Sequence, residues 1–143
     1  MKSKKILFLC TGNSCRSQIA EAIARNTFDD SCYIESAGTE NHGVNPNAVR
    51  TLKEIGIDIS NYKSKTIELS HLSKFNLVIT LCGDARDKCS ILNQGVKHIH
   101  WNLKDPAKFK GNDLEIISNF QNIRDLIASK VKELKIKLEE GLL

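Results

Sequence analysis

The sequence predicts an α/β domain: a four-stranded parallel sheet flanked by helices on both faces. Three observations carry that expectation. Short apolar runs alternate with stretches whose apolar residues recur at three- and four-residue spacing, the pattern of strand–helix–strand units. The runs "KILFL" and "LVITL" are apolar almost throughout, as strands covered on both faces are. The 143 residues, 41% of them apolar, suffice for one core and leave little room for a second. A single domain over residues 1–143 is therefore expected.

The elements follow in order. The first strand is read over Lys5 to Leu9. A helix starts near Ser17, taken as its N-cap, with Ile19, Ala20, Ile23, Ala24 and Phe28 on one side and Glu21 four before Arg25. The second strand runs from Tyr33 to Ala37 and ends at Gly38. Asn45-Pro46 opens the next helix, Asn as cap and Pro as first helical residue. Its apolar stripe is Ala48, Val49, Leu52 and Ile55, and Gly56 stops it. Ser64 to Lys74 holds a short helix with Leu69 and Leu72 inward. Leu77 to Leu81 is the third strand and Val96 to Trp101 the fourth, with Trp101 in the core. From about Leu114 a long amphipathic helix presents Ile116, Phe120, Ile123, Ile127, Val131, Leu134 and Leu138. Crossovers between parallel strands are right-handed, and ligands bind beyond the strands' carboxyl ends. That rule gathers Cys10, the Gly38 turn, Cys82 and the segment after Trp101 at one edge.

Composition narrows the function. The net charge of +4 suits an anionic substrate, but no dense Lys/Arg tract with interleaved aromatics argues for nucleic acid. No run approaches the ~20 apolar residues of a membrane span. The basic start is followed by an apolar run of Ile6 to Leu9 only, shorter than the roughly 7–15 residues of a secretion signal's core. A cytoplasmic monomer is expected. Its five cysteines, Cys10, Cys15, Cys32, Cys82 and Cys89, are odd in number and favour catalysis, redox chemistry or metal binding over a disulfide framework. Zinc is excluded by spacing: there is no C-x2-C, and His42, His71, His98 and His100 lack partners at ligand distance in sequence. No metal or organic cofactor is expected.

Cys10-Thr11-Gly12-Asn13-Ser14-Cys15-Arg16 is a C-x5-R pattern at a strand-to-helix turn. Small residues let backbone N–H groups line one concavity, and the helix N-terminus adds partial positive charge. Arg16 offers fork geometry to a tetrahedral oxyanion, and the Ser17 hydroxyl reaches toward the Cys10 sulfur. Thr11, Gly12, Asn13, Ser14, Cys15, Arg16 and Ser17 are thus the candidate oxyanion-binding residues, with Cys10 a candidate nucleophile. The side chain of Cys15 reads as structural and Cys32 as a passive thiol.

"CTGNSCRS", followed by "SAGTENHGVNP", "GIDIS", "LVITLCGDARDKC" and "DPA", resembles the thioredoxin-coupled arsenate reductases, which share the fold of the low-molecular-weight protein tyrosine phosphatases. The likeness runs from the first strand to about Pro106 and more loosely through "NFQNIRDLI". It implies strand order 2-1-3-4 and catalytic roles for Cys10, Cys82, Cys89, Arg16 and Asp105. It also implies the route. Cys10 attacks arsenic while Asp105 protonates the departing hydroxyl, and Cys82 attacks Cys10 to give a transient Cys10–Cys82 disulfide. Cys89 then leaves a Cys82–Cys89 disulfide for thioredoxin. Read from spacing, Cys82 and Cys89 would stand about 10 Å apart on a helix, at ~1.5 Å per residue, so a bridge requires unwinding.

Some relatives hold potassium through Asn13, Ser36 and side chains at positions 63 and 65, where this chain has Lys63 and Lys65. The expectation is that a lysine ammonium stands in for the ion. The first rival reading is a tyrosine or phosphomonoester phosphatase, which would use Cys10, Arg16 and Asp105 but has no need of Cys82 and Cys89.

Overall fold

The structure, a computed structural model, describes residues 4–28, 30, 32–92 and 96–143, and the side chains of all these except Leu69 and residues 88–92. β1 (Lys4–Cys10), β2 (Cys32–Gly38), β3 (Leu77–Thr80) and β4 (Lys97–His100) pair in parallel in the order β2-β1-β3-β4. The predicted fold class and strand order both stand. β1 is central, and Ile6, Leu7, Phe8 and Leu9 are each 0% exposed, which is why that run carries no polar alternation.

Alternate residues of β1 feed two cores. Ile6 and Phe8 pack with α1 (Arg16–Phe28), α2 (Pro46–Lys53) and α4 (Asp113–Glu139) through Ile19, Ile23, Leu52, Phe120, Ile127 and Val131. Leu7 and Leu9 face the other way, toward Leu72 of the 3-10 turn Leu69–Lys74, Phe75 just after it, and Ala85 of α3 (Gly83–Leu92). Trp101 lies in the first core, its ring 5.7 Å from that of Phe8. Registers Cys10↔Gly38, Leu9↔Thr80 and Thr80↔His100 align the four carboxyl ends at one edge.

Local chemistry sets the ends. The Asn45 side chain accepts the Asn47 N–H and Pro46 occupies the first turn of α2, as the sequence predicts. α2 closes at Lys53 and Gly56 turns the chain at φ +81°, so Ile55 falls outside the helix and is 45% exposed rather than part of the stripe. α4 begins one residue before Leu114, because Asn112 and Glu115 form a capping box, and Leu114 itself is 77% exposed. The helix expected over Ser64 to Lys74 is shorter. Gly38 N–H bonds to Lys65 O at 2.8 Å and the bridge Gly38↔Thr66 extends the sheet edge, leaving only the 3-10 turn. Leu72 is buried there, and the expected inward placement of Leu69 lies outside the described side chains. Among the described residues no helix is long and apolar enough to cross a membrane.

Candidate active site

The turn from β1 into α1 is braced from outside. Cys10 O accepts the Thr39 N–H (3.1 Å), Thr11 O that of Glu40 (2.7 Å), Gly12 O that of His42 (3.0 Å) and Ser14 O that of Asn45 (3.0 Å). Asn13 O accepts the Ser64 hydroxyl. A trans peptide holds each N–H opposite the preceding carbonyl. With five carbonyls turned outward, the N–H groups of Thr11 through Cys15 face the concave side, where an anion is received. Gly12 leaves room for the His42 ring, since a Cβ would stand 2.4 Å from His42 Nδ1 and displace it. Asn13 takes φ +49°, the left-handed conformation that Asn tolerates better than most residues.

Asn13 is also the hub beneath the turn. Its Nδ2 donates to Ser17 Oγ (2.8 Å) and Ser36 Oγ (3.0 Å), and its Oδ1 accepts from Gln18 Nε2 (3.0 Å) and Lys65 N–H (2.9 Å). Since Ser17 Oγ accepts from Asn13, its own proton is left for Cys10 Sγ, 2.8 Å away, which also receives the Asn13 backbone N–H at 3.2 Å. Two donors converging on a buried sulfur is the arrangement a thiolate nucleophile needs. Ser17 is not the N-cap. The first helical bond runs from Ile19 N–H to Cys15 O, which makes Cys15 the cap and leaves the Ser17 side chain to the sulfur. Burial pushes the Cys15 thiol up to about 12.

The residues present do not fit a potassium ion. Both lone pairs of Asn13 Oδ1 are taken by N–H donors, and Ser36 Oγ donates to Glu21 Oε1 at 2.5 Å. The lysine replacement is overturned as well. Lys65 Nζ pairs with Glu35 Oε1 at 2.7 Å and the Lys63 side chain is exposed, whereas the Gln18 amide sits against Asn13 O, Asn13 Oδ1 and Lys63 O. Gln18 Oε1 is thereby buried without a partner. The reversed amide would aim that oxygen at three acceptor oxygens, which fixes the orientation.

Arg16 is clamped at the strand ends. Its Nη1 donates to Leu81 O (3.2 Å) and Leu103 O (2.9 Å), and its Nη2 is 3.7 Å from Asp105 Oδ2. Asp105 caps the 3-10 turn Pro106–Lys108 by accepting the Ala107 N–H. Cys82 caps α3 with sulfur in place of the usual hydroxyl, Ala85 N–H reaching Sγ at 3.5 Å and Arg86 N–H reaching its carbonyl at 3.1 Å. The same sulfur is 3.2 Å from Thr11 Oγ1. Cys89 lies within α3, its side chain outside the described set. A cavity of about 470 Å³ joins Cys10, Arg16, Cys82 and Asp105, with His42 and Lys108 at its walls. Cys10, Cys15 and Cys82 are free thiols.

Residues 5–142 match the model of the family described as low molecular weight phosphotyrosine protein phosphatase. The chain belongs to that family. It is 50% identical over 133 residues to an arsenate reductase of Bacillus subtilis, covering 93% of this chain and 96% of the relative. A solved arsenate reductase in the phosphate binding state superposes with TM-score 0.76 at 34% identity, over 94% of this chain and 98% of that one. The thioredoxin-dependent arsenate reductase of Corynebacterium glutamicum superposes with TM-score 0.77 at 26% identity, over 97% of this chain and 63% of that one. Three parts of this family member's site were not singled out from sequence: the brace Thr39–Asn45 with Ser64, the Gln18 amide, and Lys108 at the cavity wall. Backbone donors carry no residue-type signal, while Lys108 directly follows "DPA", which is a local signal.

Proposed function

We propose that the chain is a cytoplasmic arsenate reductase that works by a three-cysteine relay and is regenerated by thioredoxin. The observation that carries the reading is the Cys82 sulfur, 3.2 Å from Thr11 of the oxyanion turn and at the start of the helix that contains Cys89. A hydrolytic phosphatase needs neither sulfur. The similarity to the B. subtilis enzyme supports the same assignment.

The steps balance. Arsenate is held by the inward N–H groups and Arg16. The Cys10 thiolate forms an S–As bond as Asp105 donates a proton to the departing hydroxyl, which leaves as water. The Cys82 thiolate attacks the Cys10 sulfur, and the S–As electron pair passes to arsenic, which departs as arsenite. Cys89 attacks Cys82, releasing Cys10 as a thiolate. α3 must open for this step, since two residues seven apart on a helix are about 10 Å apart and a disulfide needs Cα atoms within about 7 Å. The thioredoxin dithiol reduces the Cys82–Cys89 bridge and becomes a disulfide itself.

The test couples arsenate to NADPH oxidation through thioredoxin and its reductase. The parent is expected to turn over continuously, Cys10→Ser and Cys82→Ser to release no arsenite, and Cys89→Ser to stop after one turnover with Cys10 joined to Cys82. Continuous turnover by Cys89→Ser overturns the relay. Far better turnover of p-nitrophenyl phosphate than of arsenate overturns the assignment.

A further inference from the structure

His42 is fixed to the oxyanion turn by backbone and ring together. Its N–H donates to Gly12 O at 3.0 Å. Its ring lies against Gly12, in the space a side chain at that position would claim, with Nδ1 nearest. Its Nε2 is 2.7 Å from Glu40 Oε1. A carboxylate only accepts, so Nε2 carries the proton of the neutral ring and Nδ1 presents a bare lone pair. Among the described residues Nδ1 has no hydrogen-bond partner.

The cavity that His42 lines is otherwise built to donate. The N–H groups of the turn, the Arg16 guanidinium and the Lys108 ammonium face about 470 Å³. Its two wall carboxylates are engaged. Asp105 accepts the Ala107 N–H at 3.0 Å and stands 3.7 Å from Arg16 Nη2, and Asp84 Oδ2 is 3.4 Å from the Thr39 hydroxyl. Nδ1 of His42 is an acceptor at the rim with nothing yet to accept from.

We infer that His42, held in one tautomer by Glu40, is a specificity-determining residue: it accepts the hydroxyl hydrogen of a protonated tetrahedral oxyanion and so selects hydrogen arsenate and hydrogen phosphate over sulfate. At pH 8 hydrogen phosphate and sulfate share shape and charge and differ by one proton. Donors in the cradle serve both alike. A lone pair tells them apart, because it gains a hydrogen bond from the P–OH group but faces only another lone pair on sulfate. The inference rests on the reading that the Cys10–Arg16 turn receives a tetrahedral oxyanion, and not on the cysteine relay.

The experiment titrates the reduced full chain with inorganic phosphate and with sulfate at pH 8 and fixed ionic strength, by isothermal titration calorimetry. The parent is expected to bind phosphate about tenfold or more tighter than sulfate. His42→Phe keeps a ring over Gly12 and removes the acceptor. In it phosphate affinity is expected to fall about tenfold while sulfate affinity stays level or rises, so the preference disappears. Glu40→Ala frees the ring to present an N–H at Nδ1, and is expected to narrow the preference with sulfate bound no more weakly than by the parent. Equal loss of both anions in His42→Phe would mean that the ring only shapes the turn or acts as a cation. That result, or an unchanged preference, overturns the inference and leaves the oxyanion site standing. Binding of neither anion to the parent overturns both.

Discussion

Replacing Asn13 by Ala separates the two demands made on that residue. The side chain makes four bonds: to Ser17 and Ser36 as donor, and from Gln18 and Lys65 as acceptor. Alanine leaves the Lys65 N–H without its acceptor under the turn, which costs about 1–3 kcal/mol for a buried donor. The three remaining bonds are partly replaced, because Gln18 keeps Asn13 O and Lys63 O, and Ser36 keeps Glu21. They add about 1 kcal/mol together. Holding a residue with a Cβ at φ +49° without the Asn side chain's local bonds adds about 1 kcal/mol more. The sum is roughly 3–5 kcal/mol, and with a urea m-value of roughly 2 kcal/mol/M the unfolding midpoint falls by about 2 M. Asn13→Gly suffers the same bond losses without the conformational cost, so it should lie about 1 kcal/mol above Asn13→Ala. Urea titration followed by far-ultraviolet circular dichroism measures all three chains. A loss below 1 kcal/mol in Asn13→Ala would refute the hub. Equal values for Ala and Gly would refute the backbone component.

Three further outcomes are expected. Ser17→Ala removes one of two donors to the Cys10 sulfur; kcat/KM for arsenate should fall roughly 10- to 100-fold with the fold intact, as for loss of a hydrogen bond to a charged group. Lys108 stands at the cavity wall and is exposed, so Lys108→Ala should raise KM about threefold or more while leaving kcat in place, with the gap closing at high salt. Cys15, held near 12 by burial, is almost wholly protonated at pH 8. Iodoacetamide should modify it only after unfolding, and mass mapping that finds it alkylated early in the native protein would refute its burial.

The parts legible in the sequence are those whose signal is local. β1 and β3 announce themselves as unbroken apolar runs because both their faces are covered, and Asn45-Pro46 marks the start of α2 through its own cap. The Cys10–Arg16 turn is legible because the C-x5-R spacing falls between the end of an apolar strand and the start of an amphipathic helix. What was hidden depends on partners distant in sequence. Ser17 carries the chemistry of an N-cap, but the cap is the Cys15 backbone, and only the folded turn sends the hydroxyl to Cys10. Lys65 has the charge to replace an ion, yet Glu35, in the middle of β2, draws the ammonium away. His98 and His100 are two ordinary histidines until the register sets Thr80 between them.

The brace around the oxyanion turn extends this point. Anion affinity at such a turn is usually read from the turn's own small residues, yet what orients its amides here is the row of donors from Thr39, Glu40, His42 and Asn45 on its outer side. Those donors are main-chain groups, so their part in the brace depends on the path of the chain and not on side-chain type. Side chains add to it locally: the Thr39 hydroxyl also donates to Thr11 O, Asn45 caps α2, and the His42 ring occupies the space above Gly12. A proline at Thr39, Glu40 or His42 would remove one N–H, release one carbonyl, and let the peptide behind it rotate its amide out of the cavity. The same substitution on the exposed face of α4 would break a helix and leave the amides where they are. Binding of inorganic phosphate, compared between two such chains of matched stability, therefore isolates the brace from global folding. Equal phosphate affinity in both would mean that the turn holds its shape unaided.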